Sequence, residues 1–266
     1  MPVYHTEIGV VETLEFCSDS VGVDATLWVL LHAAAAGPGS LSGLAKRLAE
    51  SGCRVVVPAL HGYGATRVRV EGDRMSAHEA VARFCLTLGS ARTRVLFGHS
   101  MGGLAALLAA SAADRLVVYE PIVIGLLRAD DPEDAACLAW DRAIVAHLEH
   151  CVTVGAPESG IARFVEAWNE MRWDALPASV RQRLIAAAPD LAADIRDGSG
   201  REIAPSGIGV EVLILQGAAS PPITHRMTLR LEQSLPNAQR VVVAEVGHMG
   251  PVANADRVFA AIGSAG

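Results

Sequence analysis

Short apolar runs alternate along this chain with stretches of helical period, and that rhythm leaves few folds open. Thr26-Leu27-Trp28-Val29-Leu30-Leu31, Arg54-Val55-Val56-Val57, Arg94-Val95-Leu96-Phe97 and Leu116-Val117-Val118-Tyr119 each read as a strand buried on both faces. Between them the pattern predicts a helix around Leu41–Glu50 and another from a Ser76/Glu79 capping box to Leu88. A third is predicted over Leu104–Ala113. Strands that are apolar throughout, rather than at every second residue, need helices on both sides. The expected fold class is therefore α/β, a mostly parallel sheet flanked by helices.

The rhythm breaks after Pro121. From about residue 128 to 200 no strand is predicted, only three helical segments. Asp131-Pro132 opens the first. The second carries Ile161, Phe164, Val165, Trp168 and Met171 at helical spacing, and the third covers about residues 178–195. Strands return at Val210–Leu215 and Arg240–Ala244, before a closing helix over Val252–Ile262. The expected organisation is a core of residues 1–124 and 204–266, interrupted by a helical unit over 125–203.

Composition narrows the function. With 51% hydrophobic and 19% charged residues, the chain reads as a compact enzyme rather than a disordered one. A net charge of -7 with no basic block argues against nucleic acid or an anionic membrane as partner. Cys17, Cys53, Cys85, Cys137 and Cys151 are odd in number and lack C-x-x-C spacing, which suits neither a disulfide framework nor a zinc site. His147 and His150 lie one helical turn apart but lack a carboxylate partner in a metal-binding pattern. The start of the sequence shows no basic segment followed by an apolar one. The most apolar run, Ala25–Ala36, contains His32 and falls short of the roughly 20 residues a membrane helix needs. A soluble cytoplasmic protein is expected, and a homodimer is left open.

Three stretches carry chemistry. Gly98-His99-Ser100-Met101-Gly102-Gly103 stands between a strand and a helix, where G-x-S-x-G forms a sharp turn that exposes the serine. The helix beginning there offers the Met101 N–H and its positive dipole end to an oxyanion. Gly247-His248-Met249-Gly250-Pro251 follows the last strand, so His248 can reach the same sheet edge as a general base. Leu30-Leu31-His32-Ala33-Ala34 ends a strand before a Gly-Pro-Gly loop, and Ala33 or Ala34 is expected to supply a second oxyanion N–H. His99 should point away from the nucleophile into packing.

The strand ending in His32, the P-x-L-x-G-x-G of Pro58–Gly64, G-H-S-M-G-G and G-H-M-G-P together resemble the α/β-hydrolase superfamily, in order and over nearly the whole chain. The helical unit after Pro121 falls where that family carries its cap, and the Phe164–Pro177 stretch resembles cap segments of bacterial members. Two departures stand out. Ala33 occupies a position that is usually glycine. The family's common aspartate after the penultimate strand is missing, since Gly217-Ala218-Ala219-Ser220 ends in serine. Some relatives carry the acid after the strand that follows the nucleophile helix, which here is Glu120. Asp130 and Asp131 are weaker candidates.

The resemblance implies a serine hydrolase with Ser100 as nucleophile, His248 as base and Glu120 as acid, needing no metal or organic cofactor. Its substrate would be a small hydrophobic ester. His32, Trp140, Trp168, Met171 and Met249 are expected to line the pocket, with Trp173 nearby. Three other readings stay open: a lyase of this fold, a carbon–carbon bond hydrolase, and a non-catalytic protein that binds a small ligand. Met249 beside His248 resembles esterase relatives, whereas plant hydroxynitrile lyases carry lysine there. Dehalogenation would require an aspartate nucleophile.

Overall fold

Nine strands join in one sheet in the computed structural model, which describes residues 1–18, 22, 24–169 and 171–264. They are β1 (Val3–Thr6), β2 (Gly9–Phe16), β3 (Leu27–Leu31), β4 (Arg54–Pro58), β5 (Arg67–Val68), β6 (Arg94–His99), β7 (Arg115–Tyr119), β8 (Glu211–Gly217) and β9 (Ala238–Val243). Their order is β1-β2-β4-β3-β6-β7-β8-β9, with β5 paired to β2. All pairs from β4 to β9 are parallel, whereas β1, β2 and β5 add an antiparallel margin.

The helices are α1 (Ser42–Glu50), α2 (Arg74–Leu86), α3 (Met101–Leu108), α4 (Pro132–Thr153), α5 (Pro157–Asn169), α6 (Ala178–Ser199), α7 (Pro222–Ser234), α8 (Gly250–Ala253) and α9 (Ala255–Ser264). The pleat sends alternate residues of each buried strand to opposite cores. Val29 and Leu31 of β3 and Leu96 of β6 pack on the side of α2 and α3, while Trp28, Leu30 and Phe97 pack on the side of α1 and α9. Apolar side chains on both faces give the unbroken hydrophobic runs seen in the sequence.

Several local expectations are corrected. The N-terminal hairpin β1–β2, the short β5 and helix α7 were not anticipated. β1 is short and exposed or half-buried, and β2 holds Glu12 and Glu15 among its apolar residues, which masks the strand pattern. Helix α2 begins at Arg74, two residues before the expected capping box. Asp73 is its N-cap, and its carboxylate accepts the Ser76 N–H at 2.9 Å. Helix α3 starts at Met101 rather than Leu104 and gives way to a short tight turn over Ala110–Ala112. The closing helix is split at Asn254 into α8 and α9.

Helices α4, α5 and α6 intervene between β7 and β8, and ionic clusters bind them to the core at two places. The α4 cluster begins at Asp131, which caps that helix as expected. The fully buried Asp134 binds Arg230 of α7 at 2.7 Å and also pairs with Arg226 of that helix. On α6, the fully buried Asp194 receives Arg74 at 2.6 Å and His78 at 3.0 Å, both from α2. Burial alone would raise the Asp194 carboxyl, but His78, Arg74 and Tyr63 outweigh it and hold the group below its ordinary value.

Candidate active site

Strand order places the site. The chain runs from β3 to β4 on one side, then crosses to β6 on the other, so the carboxyl ends of β3 and β6 diverge at a switch point where such sheets bind ligands. The His32–Ala36 turn follows β3, and Ser100 follows β6. Glu120 follows the neighbouring β7.

Ser100 stands in the left-handed region, with φ 56° and ψ -120°, which turns strand directly into helix. The glycines around it are required sterically. A Cβ on Gly98 would lie 2.3 Å from the Gly102 carbonyl oxygen, and one on Gly102 would lie 2.5 Å from the carbonyl oxygens of Leu31 and His32. This closeness packs α3 onto the ends of β3 and β6. Ser100 is only 8% exposed. As the first helical residue, Met101 has an N–H with no carbonyl one turn earlier to receive it.

The ladder continues one rung past the strands. Ser100 N–H donates to the Tyr119 carbonyl at 3.0 Å, and Glu120 N–H donates to the Leu215 carbonyl at 3.0 Å. Ser100 and Glu120 therefore occupy the same level of adjoining parallel strands. Glu120 is fully buried and itself left-handed, with φ 44°. Its Oε1 accepts the Gly217 N–H at 2.7 Å, and its Oε2 lies 2.7 Å from His248 Nδ1. A carboxylate can only accept, so the ring proton sits on Nδ1 and the basic lone pair on Nε2.

His248 is held from two sides. The Tyr119 hydroxyl donates to the Gly247 carbonyl at 2.7 Å, and His99 Nε2–H donates to the His248 carbonyl at 2.8 Å. His99 is fully buried and packs as expected. Burial first, and the neighbouring His248 second, push its pKa well below the ordinary imidazole value, so it stays neutral. Trp168 of α5 covers His248, with ring centroids 5.2 Å apart, and Trp140 and Phe164 extend the aromatic cluster at 5.6 and 6.0 Å from Trp168. The Trp168 Nε1–H is buried without a partner among the described residues.

The structure distributes the other expected residues unevenly. His32 was expected in the pocket but is fully buried. Its Nδ1–H donates to the Ala33 carbonyl at 2.8 Å, and its Nε2 accepts the Leu60 N–H at 3.1 Å. Burial lowers its pKa to about 4. It shapes the turn and has no nitrogen left for a ligand. Met171 lies beyond the end of α5 and is 41% exposed, so it lines no pocket there. Trp140 and Met249 are half-buried and Trp173 is buried.

Ala33 is not left-handed, so its Cβ brings no strain. The left-handed residue of the turn is Ala35, at φ 61°. Ala35 N–H donates to the Tyr63 hydroxyl and Ala36 N–H to the Ala33 carbonyl, which leaves Ala33 and Ala34 as the turn's remaining donors. Ser220 is buried, and its hydroxyl has no partner among the described residues. Asp130 is exposed, and Asp131 is committed to Arg226 and Arg230. Sequence spacing gave no sign of Tyr63, Asp194 or Tyr119. Their roles arise from contacts between distant segments.

Among the described residues, no three His, Cys, Asp or Glu side chains converge to hold a metal ion, and no helix is long and apolar enough to cross a membrane. No curated protein matches the sequence. Solved structures of similar fold include the enol-lactonase of Burkholderia xenovorans LB400, 16% identical over 99% of this chain and 98% of that one, with a TM-score of 0.74. An esterase from Exiguobacterium antarcticum is 17% identical over 99% and 98%, with a TM-score of 0.71. A thermophilic esterase from Thermogutta terrifontis is 20% identical over 96% and 92%, with a TM-score of 0.68. The family model described as "Alpha/beta hydrolase family" matches residues 28–261, and on that match, over this sheet, the chain belongs to the alpha/beta hydrolase family.

Proposed function

We propose that the protein is a serine hydrolase that cleaves small hydrophobic esters by acyl transfer to water. The observation that carries this reading is the 2.7 Å contact from His248 Nδ1 to Glu120 Oε2, with Glu120 level with the strained Ser100. A carboxylate so placed fixes the ring tautomer that leaves Nε2 basic and stabilises the imidazolium formed during reaction.

Ser100 Oγ attacks the ester carbonyl while His248 Nε2 takes its proton. The oxyanion is met by the Met101 N–H and by an amide of the Ala33–Ala34 turn. His248 returns the proton to the departing alkoxide. A water, deprotonated by the same nitrogen, then releases the carboxylic acid and restores Ser100. The chain's own side chains supply every proton transfer, and no cofactor is called for. Helices α4–α6 serve as a cap, with Trp140 and Trp168 forming an apolar wall over the site. Similar folds named as esterases and an enol-lactonase are consistent with ester cleavage.

The test is labelling with a fluorophosphonate, together with turnover of a chromogenic short-chain ester. Wild-type protein should form an adduct at Ser100, and Ser100→Ala should lose both adduct and turnover while keeping its circular dichroism. Folded wild-type protein that forms no adduct would overturn the reading in favour of a ligand-binding protein.

A further inference from the structure

The Ala33–Ala36 turn is tied to the cap by a chain of hydrogen bonds that the hydrolytic scheme leaves unused. The Tyr63 hydroxyl accepts the Ala35 N–H at 2.9 Å and donates its own proton to Asp194 Oδ2 at 2.7 Å. Its ring meets His32 edge to face, with centroids 4.9 Å apart. His32 in turn holds the Ala33 carbonyl. The far end of the chain is anchored, because Asp194 Oδ1 is occupied by Arg74 and His78. Tyr63 is 8% exposed and Asp194 is fully buried, so water offers little substitute for either contact.

Geometry makes the turn sensitive to this support. Ala35 is left-handed without being glycine, a conformation that persists only when its surroundings impose it. Tyr63 is bonded to that residue. One and two positions earlier lie the amides of Ala34 and Ala33.

We propose that Tyr63 is a positioning residue: held by Asp194 of the cap, its hydroxyl sets the Ala35 turn so that the Ala33 or Ala34 amide completes the oxyanion pocket. Seating of α6 on the core and assembly of that pocket are then one event. A cap lifted at α6 takes Asp194 away from Tyr63 and slackens the turn. This rests on the serine-hydrolase reading above, and it assigns Tyr63 and Asp194 to transition-state stabilisation rather than to ground-state binding.

The experiment compares wild-type, Tyr63→Phe and Asp194→Ala proteins, with active sites titrated by a fluorophosphonate so that only folded, competent enzyme is counted. The phenylalanine keeps the ring packed on His32 and removes only the hydroxyl. Per titrated site, Tyr63→Phe should lower kcat on a short-chain ester on the order of 10-fold, a fraction of the 10²–10³ seen when an oxyanion donor is removed outright. KM should change less than 3-fold, and the phosphonylation rate should fall in parallel with kcat. The pH midpoint of kcat/KM should not move, because Glu120 and His248 are untouched. Asp194→Ala should lose kcat in the same sense. A purely structural Tyr63 would lower the melting temperature but leave kcat per titrated site within 2-fold of wild type, and that result overturns the proposal. Wild-type protein that neither phosphonylates nor turns over would instead refute the hydrolase reading beneath it.

Discussion

Glu120 and His248, separated by 128 positions in the sequence, meet through a 2.7 Å contact between Oε2 and Nδ1 with no exposed atom on the carboxylate's residue. The Gly217 N–H occupies the other oxygen, so the carboxylate cannot swing away without giving up a buried hydrogen bond.

Glu120→Gln should therefore reduce kcat by about 10²-fold or more while the protein stays folded, because an amide can turn its NH₂ toward Nδ1 and favour the wrong tautomer. Steady-state kinetics on titrated sites measure the effect. Wild-type kcat in this variant would mean that the carboxylate takes no part.

Ser220 offers a second location for the acid. Its hydroxyl is buried and unpartnered among the described residues, and it lies 2.7 Å from where a Cβ on Gly217 would sit, beside the amide that holds Glu120. In a Glu120→Ala background, adding Ser220→Asp should recover kcat by roughly 10-fold over the single variant, part of what a carboxylate contributes. No recovery would show that position 220 cannot reach the imidazole.

Asp141, on the buried face of α4, is 7% exposed, and burial raises its pKa to about 6 against the opposing pull of Arg142. The unfolded chain ionises this group nearer 3.8, so between about 4 and 6 the folded state binds more protons. Its contribution thus falls as pH rises, and the penalty is complete above 6. Asp141→Asn should stabilise the protein by on the order of 1–2 kcal/mol at pH 7 and by little at pH 4. His32 acts in the opposite sense: with its pKa lowered to about 4, it costs stability as pH falls through the range below 6.5. Melting temperatures of both proteins across pH 4–7 would reveal the difference, and equal gains at the two ends would contradict the assignment.

Trp168→Phe removes a buried N–H that has no acceptor among the described residues, while keeping an aromatic ring against His248. Relief of the unpartnered N–H offsets part of the cavity left by the smaller ring, so stability should fall by about 1 kcal/mol or less. KM should rise for esters bearing an acceptor near the scissile carbonyl and stay level for purely aliphatic ones. A matched pair of such substrates decides it.

The sheet interior was readable because strands buried on both faces carry no polar residue to interrupt them. β3, β4, β6 and β7 all fall within a residue or two of expectation. The serine turn was equally plain, since Gly98 and Gly102 are demanded by backbone contacts under 3 Å. What escaped notice had mixed surroundings. β2 holds Glu12 and Glu15 among its apolar residues, and α7 opens on Pro221-Pro222 between two strands. Met171 continues a helical spacing that the chain itself abandons at Asn169, and His32 looks like a ligand until both its nitrogens are found occupied. The link from Tyr63 to Asp194 spans 131 positions, and no local pattern announces such a pair.

Ser100 and Glu120 each end a strand in a left-handed turn that costs an ordinary side chain roughly 1–2 kcal/mol. Neither conformation is the segment's own preference; the surrounding sheet and helices impose both. Because both residues also donate the next rung of the ladder, to Tyr119 and Leu215, neither corner can reach the commoner geometry without opening that edge of the sheet. Any activity that depends on these corners should therefore be lost together with the fold, and following ester turnover and circular dichroism on one temperature ramp would test it.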